Sequence, residues 1–138
     1  MSAITCILHT DEESVSSDHI DRMMDTLAEF PMDDVQVWKK DHLFLGCHAQ
    51  WITPESIGEQ MPFYDSERKL AITVDAIIDN REELFKLLQI ESIRRNELPD
   101  SHLILLAYSK WGQDAPKYLI GDYAFILWDE KEQLLFGA

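Results

Sequence analysis

The chain has 138 residues, 46% of them apolar, and a formal charge of −14 at neutral pH. That length fits one domain whose core needs no staple, and the apolar content excludes a disordered chain. The charge excludes a nucleic-acid binder or a binder of anionic membranes, both of which need clustered Lys or Arg.

No apolar run reaches the ~18–20 residues that span a bilayer. The first thirty residues are acidic with a single Arg, unlike a signal or transit peptide. Cys6 and Cys47 each lie in an apolar stretch and read as small hydrophobes of a reduced, cytoplasmic protein. The five histidines are scattered, with no spacing that marks a metal site.

In chain order, AITCIL at 3–8 is rich in β-formers and reads as a strand. DEESVSS breaks it. Ser17 is placed to cap a helix over 18–30, with Ile20, Met23, Met24, Leu27 and Ala28 on one face. Pro31 closes that element. VQVW and HLFLGCHAQW form a hairpin across KKD, and ITPESIGEQMP is loop. LAITVDAII at 70–78 is almost wholly apolar and β-branched, as in a strand buried on both faces.

Asn80 is set to cap a helix over 81–89, with Glu83 in capping-box position. Asp100 or Ser101 caps a second helix, HLILLAYSKW, which ends at Gly112. That helix is apolar nearly all round, which predicts a place between layers. A helical turn over 114–119 stops at Gly121. YAFILWD and QLLFGA then make a hairpin across DEKE. Helices come in groups rather than alternating with strands, so the fold class is α+β with antiparallel or mixed sheets. The chain stops in a strand-like run, LLFGA, which predicts a truncated domain or excised fragment.

Three stretches together carry a family likeness: MSAITCIL at the start, DAIIDNREELFKLL at 75–88, and PDSHLILLAYSKWGQDAPKYLIGDYAFILWDEKEQLLFGA at 99–138. In that order they resemble the N-terminal glutamine amidotransferase domain of the asparagine synthetase family. Asp100, Ala107, Tyr108, Trp111, Gly112, Gly121, Ala124, Phe125 and Asp129 fit its pattern. The resemblance implies an N-terminal-nucleophile hydrolase fold over 1–138: a four-layer αββα sandwich, two mostly antiparallel sheets between helices. It also implies an ATP-dependent synthetase domain that is absent from this chain. ATP and Mg would belong there, with no cofactor and no metal in this domain. A paired, homodimeric assembly is a further implication.

In this family the residue after the initiator Met attacks the glutamine carboxamide, and its own α-amine serves as base. The family uses cysteine; here the position holds Ser2. With Met1 present, the Ser2 nitrogen is tied in a peptide bond. The resemblance places the oxyanion-hole Asn and Gly at Asp75 and Ala76. A carboxamide donates hydrogen bonds to a developing oxyanion, and an ionised carboxylate cannot. The family arginine that grips the substrate carboxylate falls at His48 or Ala49, and neither gives a two-pronged clamp. Asp100 matches the aspartate that holds the substrate's α-amine, although a plain helix cap explains it equally well.

Nucleophile, oxyanion donor and clamp have thus all changed, and such parts act as a unit. The expectation is a degenerate amidotransferase-like domain, its glutaminase activity lost or weak, acting as scaffold or docking domain for an amide-forming partner. The family includes lasso-type peptide cyclases that make amides without hydrolysing glutamine, which would make the substrate a peptide. The competing expectation is an active glutaminase that supplies ammonia through Ser2.

Overall fold

A computed structural model describes all residues, 1–138. Its strands form two antiparallel sheets. Sheet A holds β1 (Ala3–Leu8), β2 (Asp34–Lys40) and β3 (Leu43–Ala49) in the order β1-β3-β2. Sheet B holds β4 (Phe63–Asp65), β5 (Leu70–Ile78), β6 (Gly121–Asp129) and β7 (Leu134–Gly137) in that order. The α+β class expected from the element order is the one observed. No helix is long and apolar enough to cross a membrane.

Alternation along β3 sorts its side chains. Leu43 and Leu45 pack against Ala71 and Trp128 of sheet B. Phe44 faces the other way, onto Val15, Ile20 and Met24. Helix α1 (Ser17–Leu27) therefore covers the outer face of sheet A. Gly46 is required there: a Cβ at this position would lie 2.5 Å from Met24 Sδ and 2.8 Å from Phe44 Cζ. On the far side, α2 (Arg81–Leu87) and α3 (Asp100–Trp111) cover sheet B through a cluster of 16 buried residues. That cluster includes Ile72, Val74, Leu84, Ile104, Leu105 and Phe125. The order of layers is helix, sheet, sheet, helices.

Several local expectations are corrected. Helix α1 is capped by Ser16, whose side chain accepts from His19 N–H, and it ends at Leu27. α3 lies outside sheet B rather than between layers. Its all-round burial comes from α2 on one flank and a 3₁₀ segment, Gly112–Tyr118, on the other. Asn80 makes no capping bond to α2. Its amide instead donates to Tyr118 O at 2.9 Å, and its oxygen accepts Ile120 N–H at 3.0 Å, which ties the start of β6 to β5. The three-residue strand β4 was not expected from the sequence. Both cysteines are free thiols. Burial pushes Cys47 up to about 12, so its thiol is inert near neutral pH.

Candidate functional site

At one end of the sandwich the N-terminal segment meets β5. The β1–β3 register pairs Ala3 with His48, which sets Ser2 opposite Ala49 and within reach of Gln50. Gln50 N–H donates to Ser2 Oγ at 3.1 Å. The Met1 ammonium donates to Gln50 Oε1. Ser2 N–H crosses to sheet B and donates to Asp75 Oδ1 at 2.6 Å. A cavity of about 30 Å³ lies here, lined in part by Ser2, Gln50, Asp75, Ala76, Asp100 and Ser101. That is room for a water or two, not for an amino acid.

Asp100 is the first residue of α3 and is 8% exposed. It does not cap the helix; the N-cap is Pro99. Its Oδ2 accepts Ile78 N–H at 3.0 Å, and its Oδ1 is ion-paired with Arg81. The same guanidinium donates to Leu98 O at 2.7 Å, and it lies 5.4 Å from the centre of the Phe85 ring. Both carboxylate oxygens are thus engaged by the chain itself.

Ser101 Oγ donates to Glu59, which comes from the loop between β3 and β4. Burial pushes the Glu59 carboxyl above its ordinary range, the Ser101 bond opposes this, and the nearby Asp100 charge adds to it. Three carboxylates, those of Glu59, Asp75 and Asp100, therefore line this cavity, and Arg81 is paired with the last of them.

Of the residues singled out in the sequence, Ser2, Asp75, Ala76 and Asp100 converge on one cavity. His48 does not reach it. It shares its strand face with Phe44 and Gly46, toward α1, and is 3% exposed with Nδ1 lacking a partner. Ala49 points between the sheets as part of the main core. Glu59 and Arg81 were not anticipated. Glu59 sat in a stretch read as loop, and Arg81 gave no signal beyond the first turn of a helix. No group of three His, Cys, Asp or Glu side chains could hold a metal ion.

This two-sheet α+β sandwich, with its N-terminal residues opposite the end of an inner strand, is matched by the family model of a glutamine amidotransferase domain. The family model for that domain matches residues 1–138, so the chain belongs to this family. Its curated relatives are asparagine synthetases. It is 31% identical over 121 residues to glutamine-hydrolyzing asparagine synthetase 3 of Bacillus subtilis (strain 168), covering 86% of this chain and 20% of that protein. It is 29% identical over 87 residues to a glutamine-hydrolyzing asparagine synthetase of Triphysaria versicolor, covering 63% and 14%. It is 24% identical over 104 residues to glutamine-hydrolyzing asparagine synthetase 2 of Oryza sativa subsp. japonica, covering 73% and 17%. The chain spans a fifth or less of the length of these relatives.

Proposed function

We propose that this domain keeps the amidotransferase fold while its glutamine hydrolysis is lost or weak, and that it serves as a scaffold or docking domain for an ATP-dependent amide-forming domain. The bond from Ser2 N–H to Asp75 Oδ1, at 2.6 Å, is the observation that carries this reading. By the family likeness Asp75 stands where hydrolysis needs a donor, and here its carboxylate accepts. Losing one oxyanion donor costs ~2.7–4 kcal/mol of transition-state stabilisation, and a negative charge in its place costs more.

The same contact disables the base. If Met1 were removed, the Ser2 nitrogen would become an ammonium beside a carboxylate, which favours its charged form. An ammonium cannot accept the hydroxyl proton. Ser2 Oγ meanwhile accepts from Gln50 N–H and donates to no group. Asp100, the remaining substrate contact implied by the family, is neutralised by Arg81.

ATP and Mg belong to the partner domain in this reading. The finer version is a lasso-type peptide cyclase, whose amide closes a peptide ring without consuming glutamine. A small precursor-peptide gene beside this one would support it.

The competing version, a glutaminase acting through Ser2, draws on the convergence of Ser2, Asp75, Ala76 and Asp100 on one cavity. Glutamate release from glutamine, with the N-terminus read by mass spectrometry in the same sample, separates the two. The expected result is turnover at background, unchanged by Ser2→Ala. Turnover abolished by Ser2→Ala would overturn the scaffold reading.

A further inference from the structure

The end of the sandwich that carries the small cavity also carries a groove of about 330 Å³. Asp75 pairs with Ala124 and Ile77 with Asp122 in the β5–β6 ladder, so these four side chains share one face of sheet B. Deeper in the molecule that face is covered by sheet A. Here it runs past the start of β1 at Ala3 and is left open between Met1 and Ile52. Ile77 is 41% exposed and Ile52 48%. The groove walls are mainly apolar, its charged side chains are the carboxylates of Asp75 and Asp122, the ammonium of Met1 is held by Gln50 Oε1, and no Lys or Arg lines it. Asp122 has no ion-pair partner, and Arg81 is committed to Asp100.

We propose that this groove docks an extended peptide segment from a partner protein or domain, one that sets an apolar side chain beside a Lys or Arg. The inference rests on the scaffold reading above and names the chemistry of its partner. Burying the apolar side chain against Ile77, Ala124 and Ile52 supplies the hydrophobic gain. The cation meets Asp122 and Asp75, where the acidic field also speeds its approach. A second copy of this chain is the wrong occupant, because each carries a charge of −14.

The test is a titration of the ¹⁵N-labelled protein with acetyl-Lys-Leu-Lys-Leu-Lys-amide and its Glu-Leu counterpart at low salt. The Lys peptide is expected to shift the amides of Ala76, Ile77 and Ala124 with submillimolar affinity, and the Glu peptide to bind at least tenfold more weakly. Asp122→Lys, at an exposed position, should weaken the Lys peptide about tenfold. Asp18→Lys, an equal charge change on α1, should leave affinity within twofold. Equal binding of both peptides, equal loss in both variants, shifts spread over the whole acidic surface, or self-association through the groove would each overturn the proposal. Glutamate release would end the scaffold reading and leave the groove data standing. Absent groove shifts without glutamate release would end the groove alone.

Discussion

Glu59 and Glu130 sit at opposite ends of the two sheets and are driven in opposite directions. Glu130, in the β6–β7 turn, accepts from Lys40 Nζ at 2.5 Å and from Tyr64 Oη at 2.7 Å, and these two bonds lower its carboxyl. Tyr64 in turn stacks on Trp38, with ring centres 5.3 Å apart. That end is stitched from sheet A to sheet B by complementary groups. At the other end burial pushes Glu59 up, Asp75, Asp100 and Glu59 line one small cavity, and the guanidinium of Arg81 is paired with Asp100. There the carboxylates are satisfied by backbone N–H groups, a serine hydroxyl and Arg81, with Asp122 left over. One end is electrostatically finished; the other carries surplus acid and an open apolar groove, as a face that receives a partner would.

The contrast is broken most directly by Arg81→Ala. It strands the Asp100 carboxylate, 9% exposed, without its cation, and should cost about 3–5 kcal/mol in equilibrium denaturation. Adding Asp100→Asn to that variant should recover part of the loss. If Arg81→Ala costs less than about 1 kcal/mol, the site end does not depend on its one guanidinium. Midway between the ends, Thr73 Oγ1 donates to Gly46 O at 3.1 Å in the buried seam. Thr73→Val should cost about 1 kcal/mol by the same measurement.

A smaller, pH-limited effect attaches to Glu59. Its raised carboxyl keeps a proton in the folded protein that the unfolded chain has already released. Its contribution is therefore fully present below the unfolded value of ~4.3 and is lost as pH rises through the folded one. Glu59→Gln should remove that decline from a plot of Tm against pH while leaving the acid limb unchanged. Smallest of all, Lys40→Ala removes an exposed pair and should be indistinguishable from the parent in the same denaturation experiment. A large loss there would erase the contrast between the two ends.

How much of this was legible depends on the distance over which each residue acts. The strand at 70–78 coincides with β5 because an unbroken β-branched run carries its own signal. The layer order followed from grouped helices and from the family likeness, and four of the proposed site residues do share a cavity. Asn80 and Asp100 looked like caps because capping chemistry is local. Both were taken over by tertiary partners, Ile120 N–H lying 40 residues away and Arg81 lying 19 away. No periodicity reports such pairings. β4 has three residues after a proline-marked stretch, too few to show alternation. Glu59 lacked any signal, since its role comes from a serine 42 residues away.

The Thr73–Gly46 bond has a geometric meaning beyond its strength. Thr73 lies two residues before Asp75 on one sheet, and Gly46 lies on the other, four residues before Gln50, which follows the end of β3. The bond acts as a dowel that keeps the two layers from sliding. A slip of one residue along either strand would carry the N-terminal anchor points apart by more than 3 Å. Attempts to re-equip this domain with new chemistry can therefore treat the spacing of its two walls as given, and change only what projects from them.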